Sequence, residues 1–368
     1  MAVNVFPAAS GSKNIAIRVS GNGTASSPLP NAIYTYTSNI PSNATLRLNN
    51  EFSLGTTGTV LTGGTLVSSG VETGVTWTLR THGFGSGIIF GLAYGQGTYV
   101  AVGAGATINS STNGTTWSGA SHGFGASAIR AATYGNNLFV AVGDGGTLAT
   151  AVVASTWTMR TSGFGTSGIY GVTYGNNLYV AGGDNGTMTT STDGITWTTR
   201  TSGFGTTVIN ALTYGNNLYV AAGNAGQLRT STDGITWTTR TSGFGTQPIL
   251  ALVYGNNLYL AGGQNGILTT STDGITWTTR TSGFGTSSIR ALTYGNGTYI
   301  AAGNSGILTT STDGVTWTSR TSQFGTSAIY ALTYGNSLFV SGGPGTLGTS
   351  PDGSYTVLFT GYDVITAP

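Results

Sequence analysis

Seven tryptophans, Trp77, Trp117, Trp157, Trp197, Trp237, Trp277 and Trp317, stand forty residues apart with no interval missed. Seven tyrosines, each followed by glycine, keep the same step from Tyr94 to Tyr334. Such a period restricts the chain to architectures in which one small unit is stacked many times. From Ile209, one unit reads INALTY, GNN, LYVAAG, NAG, QLRTST, DG, ITWTTRT and SGFGT, four apolar or β-branched runs alternating with turn residues. These runs predict strands joined by hairpins. No window holds a 3.6-residue period, so helix is expected to be almost absent. Four antiparallel strands in about forty residues describe a propeller blade, whereas a β-solenoid coil is shorter and needs no internal hairpins. The expected fold is therefore an all-β, seven-bladed β-propeller with a small non-repeating N-terminal β module.

The repeats supply seven inner strands, from the one holding Ile89 to the one holding Ile329. The strand after Trp77 has no inner strand before it, so it is expected to complete the seventh blade and close the ring. The segment SPDGSYTVLFTG keeps an Asp-Gly turn and competes for that place. Residues 1 to about 60 lack the repeat, hold Pro7, Pro28, Pro30 and Pro41, and contain strand-like runs such as NIAIRV and AIYTYT. The expected domains are residues 1–72 as a β module or attachment arm, 73–358 as the propeller closed by the Trp77 strand, and 359–368 as a tail.

Sixty-two glycines and 6% charged residues depart from average globular usage, yet 18 Tyr, 13 Phe and 7 Trp can fill a large core and argue against disorder. Lys13 is the single lysine and the arginines are dispersed, which disfavours nucleic acid as a partner. Without cysteine there is no disulfide, thiolate metal site or cysteine nucleophile. The stretch MAVNVFPAAS has neither a basic start nor an apolar run, so no signal peptide is expected, and no apolar run is long enough for membrane insertion as a helix. No phosphate-binding glycine motif is present, and neither a cofactor nor a metal is expected.

The phrase STDGITWTTRTSGFGT begins without change at Ser191, Ser231 and Ser271. Its first seven residues resemble the Asp-box, or BNR, repeat of sialidases and related propellers, although one residue shorter than that pattern. The likeness recurs at Asp193, Asp233, Asp273 and Asp313 and, more weakly, at Asp352, while Asn113 replaces the aspartate in one blade and AVVASTW abandons the turn in another. The resemblance implies a scaffold turn between third and fourth strands, away from any catalytic face, with the tryptophan anchoring blades; it implies fold and not chemistry. A sialidase-like enzyme also needs an arginine cluster, a tyrosine–glutamate pair and an acid. Both glutamates, Glu51 and Glu72, precede the repeats, and Asp144 and Asp184 form the one carboxylate pair at equivalent positions of adjacent blades suited to acid–base work. Equivalent positions elsewhere hold Asn224, Gln264 and Asn304, which reads as a polar loop tip. His82 and His122 replace a serine of the SGFG loop and have no metal-ligating partners near them in sequence. The chain is expected not to be an enzyme.

The blades differ most at one end. After the repeated isoleucine stand Phe90, Arg130, Tyr170, Asn210, Leu250, Arg290 and Tyr330, and the loop between second and third strands varies too, with Asp144 and Asp184. Drift at exposed positions is one reading. The other is a binding face built from Phe90, Arg130, Tyr170, Asn210, Arg290, Tyr330, Asp144 and Asp184. In its Thr/Gly/Ser/Asn-rich, lysine-poor composition with near-identical repeats, the chain looks like a phage surface protein. That resemblance implies a virion structural protein, a capsid decoration or tail-associated receptor-binding protein. It would be made in the host cytoplasm and attached to other virion proteins through the N-terminal module. The propeller would then face a host receptor or surface glycan, and a homo-oligomer is compatible with this reading. The alternatives are an extracellular multivalent lectin and, disfavoured by the acidic inventory, a glycosidase.

Overall fold

The computed structural model describes residues 74–351 in full, together with the backbone of strands lying within 18–69 and 355–366. The chain divides into two units, Gly74–Ser350 and a second formed by Met1–Thr73 with Pro351–Pro368.

The first unit is a ring of seven four-stranded antiparallel sheets. Blade 1 comprises Ile89–Gly95, Thr98–Gly103, Ile108–Ser111 and Ser118–Gly119, from the inner strand outwards. Five further blades repeat this order. In the seventh, Ala331–Gly335, Leu338–Gly343 and Thr346–Pro351 are followed outwards by Thr78–Arg80, with Leu347 opposite Arg80 and Thr349 opposite Thr78. The strand after Trp77 thus closes the ring. Tyr355–Thr360 lies elsewhere, between Ile33–Tyr36 and Thr65–Ser69 in the five-stranded sheet of the second unit. Asp363–Thr366 pairs there with Thr59–Thr62 in a three-stranded sheet.

Asn-Asn pairs explain the tight inner hairpins. Asn136 and Asn137 have φ of 44° and 57°, the two positive values that a two-residue type I′ turn demands. Outside the strands the only regular structure among the described residues is a single 3-10 turn between the second and third strands of each of the first six blades.

There is no single central core. Apolar residues collect in seven clusters, each shared by two neighbouring blades. Between blades 3 and 4, for example, Val180, Met188 and Phe204 meet Ile209, Tyr219 and Ala221. A glycine at the end of every inner strand lets the next blade approach. The ring of Tyr134 covers Gly95, that of Tyr254 covers Gly215, and the series closes with Tyr94 on Gly335; a Cβ at any of these glycines would overlap the aromatic ring. The adjoining tyrosines Tyr99, Tyr179, Tyr219, Tyr259 and Tyr299 donate their hydroxyls to Gly335, Gly135, Gly175, Gly215 and Gly255 carbonyls of the preceding blade. Burial pushes the phenols of Tyr179, Tyr219, Tyr259 and Tyr299 up, so they remain donors.

The repeated tryptophans are less uniform than expected. Trp77 and Trp157 are buried, but Trp117, Trp197, Trp237, Trp277 and Trp317 are half-buried against the inter-blade clusters. Their strands are the outermost of their sheets and only two or three residues long. The arginines three residues later are tied to the neighbouring strand: Arg200 Nε donates to Thr190 Oγ1 at 2.9 Å, and Arg160, Arg240, Arg280 and Arg320 repeat the bond in their blades.

Two outcomes follow for stability. A chain beginning at His82, which lacks Trp77 and the closing strand, should be less stable than one beginning at Gly74 by at least about 3–5 kcal/mol in urea unfolding; equal midpoints would mean that the closing strand is dispensable. Gly215→Ala should destabilise by about 1–3 kcal/mol or more, because the added methyl meets a ring packed on backbone. Gly171→Ala, where no atom lies nearer than 3.4 Å to the added Cβ, should stay within about 1 kcal/mol of the parent.

Candidate functional site

Variable residues of the inner strands stand at β-bulges. The register with the second strand shifts between Ile89 and Gly91, Ile129 and Ala131, Ile169 and Gly171, Ile209 and Ala211, Ile249 and Ala251, and Ile289 and Ala291. The skipped residue in each case is the one that differs between blades: Phe90, Arg130, Tyr170, Asn210, Leu250 and Arg290. A bulged residue is released from the ladder and can be re-aimed, and all of these, with Tyr330, line the mouth of the central channel. The loop after the second strand is pinned above the same point, since Asp144 N donates to Ala128 O at 2.9 Å and Asp184 N to Gly168 O at 2.9 Å. Four of the bulged side chains, those of Arg130, Tyr170, Asn210 and Arg290, bond to the loop residue fourteen positions later.

Around the ring, those meetings differ. Arg130 holds Asp144 through two bonds of 2.7 Å, a bidentate ion pair at the half-exposed mouth. The hydrogen bond to Asp144 is the main reason why the guanidinium pKa rises, against the opposing effect of burial. Tyr170 donates to Asp184 Oδ2 at 3.1 Å, and the same oxygen accepts Gly168 N–H at 2.9 Å. Burial first, and Asp184 second, hold the Tyr170 phenol above its ordinary range. Asn210 Nδ2 donates to Asn224 Oδ1 and to Ile249 O, both at 2.9 Å. Arg290 Nε donates to Asn304 Oδ1 at 2.5 Å.

Aromatic faces complete the arrangement. The Arg130 guanidinium lies 4.4 Å from the Phe90 centroid, and Arg290 lies 4.9 Å from that of Tyr330. Phe90 and Tyr330 meet edge to face at 5.9 Å. Cation–aromatic contacts thus run through consecutive blades, from Arg290 through Tyr330, Phe90 and Arg130 to Tyr170. Below the mouth follow a layer of Gly or Ala, such as Gly91 and Ala131, and then an apolar layer such as Leu92, Val172 and Leu212, around about 180 Å³ of open space.

All eight predicted binding residues are therefore brought to one end of the channel. Asp144 and Asp184 are not held as an acid–base pair, since each is engaged by its own blade. Sequence reasoning omitted Leu250 from the site, and it missed the pairing across fourteen residues. That signal is present in the repeat, where Arg130 and Arg290 are matched by Asp144 and Asn304. His82 is buried and its Nδ1 accepts Phe84 N–H at 3.1 Å, the bond that Ser162 Oγ makes to Phe164 in a later blade. His82 thus replaces a turn serine. Among the described residues no cluster of three His, Asp or Glu side chains could hold a metal.

The predicted scaffold turns occupy the opposite end. Asp193 Oδ1 accepts Ile195 and Thr196 N–H at 2.8 Å and the Ser191 hydroxyl at 2.9 Å, while Ser191 Oγ accepts Gly194 N–H. Asp233, Asp273 and Asp313 repeat this set, and Asn113 reproduces it with an amide oxygen. Asp352 lies outside the described residues. Backbone N–H donors, that of the residue three positions on foremost, hold the four carboxyls at about 2, well below the usual range.

No protein-family model and no curated protein matches the chain. Solved structures match its fold. YCF48 from Cyanidioschyzon merolae is similar over 74% of this chain and 98% of its own, with 16% identity and a TM-score of 0.59. A catalytically inactive virginiamycin B lyase from Staphylococcus aureus, solved with quinupristin, covers 74% of this chain and 98% of its own at 11% identity and a TM-score of 0.67. YCF48 bound to D1 peptide covers 75% and 96% at 16% identity and a TM-score of 0.61. At these identities the likeness is one of fold.

The turn carboxyls give a test at low pH. Their folded pKa of about 2 lies below the value of about 3.9 in an unfolded chain. Their stabilisation is thus complete above about pH 4 and is lost as pH falls towards 2. The melting temperature should fall through this window. A variant with Asn at positions 193, 233, 273 and 313 should show a shallower fall, and an identical fall would place the acid sensitivity elsewhere.

Proposed function

We propose that this protein is a non-enzymatic recognition propeller that takes its partner at the channel mouth. One observation carries the reading: blades that are identical over long stretches differ at the bulged mouth residues and the loops above them. Exposure alone does not account for the pattern, because the inner-hairpin residues Asn136, Asn176, Asn216, Asn256 and Asn336 are exposed at the other end and identical, with Gln96 the one departure among the exposed members of that turn. Seven mouth positions carrying five residue types, Phe, Arg, Tyr, Asn and Leu, support one composite site, whereas a multivalent lectin would repeat one sugar site. Binding is favoured over catalysis because Asp144 is neutralised by Arg130 and Asp184 has one oxygen held by a tyrosine hydroxyl and an amide, which leaves no carboxylate pair poised for acid–base work. Propellers of similar outline include one bound to a peptide and one that is a lyase, so fold by itself does not choose between these uses.

The setting proposed is a virion surface, with residues 1–72 as the attachment module and a host receptor as the partner. Composition and repeat identity are its support. The likeness of the turns to Asp-boxes adds only a scaffold role to this reading.

Arrays of peptides and of surface glycans, probed with the full chain, test the proposal. Phe90→Ala combined with Tyr330→Ala should remove the signals given by the parent protein without a change in melting temperature of more than a few degrees. Asp193→Ala combined with Asp273→Ala should lower the melting temperature and leave the signals in place. Signals that survive the mouth substitutions would overturn the assignment of the site.

A further inference from the structure

The mouth holds two charges that the ring itself leaves unmatched. Arg130 and Asp144 neutralise one another through two hydrogen bonds. Arg290 has no such partner among the described residues: its Nε donates to the neutral amide oxygen of Asn304, its plane lies over Tyr330, and its Nη groups have no acceptor. Asp184 is its counterpart. Its Oδ2 accepts Gly168 N–H and the Tyr170 hydroxyl, while Oδ1 has no donor among the described residues and no cation forms an ion pair with the carboxylate. Arg290 belongs to blade 6 and Asp184 to blade 3, positions almost opposite one another in a ring of seven. Between them, by way of blades 7, 1 and 2, stand the edge-to-face rings of Tyr330 and Phe90 and then the Arg130–Asp144 pair.

We propose that the mouth selects an extended peptide with one acidic and one basic side chain, the acidic one on Arg290, the basic one on Asp184, and an apolar side chain between them against Phe90 and Tyr330. This rests on the reading of the mouth as a recognition site and names the chemistry of its ligand. A guanidinium held from behind by an amide and an aromatic face is oriented in advance, and its remaining donors suit a carboxylate. A carboxylate with one oxygen unengaged suits an ammonium or a guanidinium. Since the two lie on blades almost opposite one another, a chain crossing the mouth can engage both. A neutral glycan would leave both charges partly desolvated and unpaired, which is unfavourable.

Selection from a random twelve-residue peptide library on the immobilised full chain tests this. Enriched peptides should carry Asp or Glu and Lys or Arg at a fixed separation with an apolar residue between. Replacing either charge in the best peptide by alanine should weaken binding at least about tenfold. Arg290→Glu should turn the preference at the first position from acidic to basic, and Asp184→Asn should remove the preference for the basic residue; Arg290→Gln serves if the charge reversal unfolds the protein. Enriched peptides without the charge pair, or equal binding by these variants, would overturn the proposal. If such peptides still required Phe90 and Tyr330, the mouth would remain the recognition site. Enrichment insensitive to every mouth substitution, or none at all, would overturn both readings.

Discussion

The contact on which the ring depends is a tyrosine ring laid on a glycine of the preceding blade. It occurs seven times, and the last, Tyr94 on Gly335, joins the first blade to the seventh. Only glycine allows that approach, because any side chain would fill the space the ring occupies. Hydroxyls from the adjoining second strands add hydrogen bonds back to the carbonyls of five of these glycines, among them Gly135 and Gly335. Blades 2 and 7 carry Phe139 and Phe339 at that position and keep the packing without the bond. Each blade contributes one wall to two clusters, and no blade has a core of its own. Stability is therefore shared along the ring as in other repeat proteins, with the difference that closure leaves no terminal face exposed.

This separation of tasks explains how the mouth varies without harm to the fold. Blade contacts engage the second strands, the repeated isoleucines and the glycines at the far end of the inner strands. Bulged residues stand outside the ladder, and their side chains answer mainly to the loop above them. Replacing arginine by asparagine or leucine there changes the surface offered to a partner while the sheet below keeps its pairing. The result is a site of seven variable positions whose side chains touch across blades while the frame below them stays the same.

Much of the fold was legible because forty-residue spacing, Asn-Asn hairpins and Asp-Gly turns each have one physical meaning, and all three agree. The location of the variable residues also followed from strand order alone. The bulge was not legible. Nothing in Ile-Arg-Ala or Ile-Tyr-Gly announces that the middle residue leaves the ladder, since a bulge arises from the close approach of inner strands in three dimensions. For the same reason the Arg130–Asp144 pair was hidden: two residues fourteen apart meet only once the loop is folded back above the inner strand. The repeat also hid that its tryptophans are not equivalent: all seven anchor an outermost strand, yet only Trp77 and Trp157 are buried.

The strand Tyr355–Thr360 sits in the middle of a sheet whose other members all precede the propeller in sequence. A ribosome delivers those members first and the central strand only after the strands of the ring. Until then, Ile33–Tyr36 and Thr65–Ser69 have no neighbour on their facing edges, and an unpaired strand edge invites pairing with another chain. Thr78–Arg80 waits in the same way for Thr346–Pro351. Both units are thus sealed by pairings between segments on either side of the first six blades, and such distant pairings form slowly. Completion of the two units consequently waits until the strands of the seventh blade have been made, and a product that stopped short of residue 355 would leave the smaller sheet divided in two.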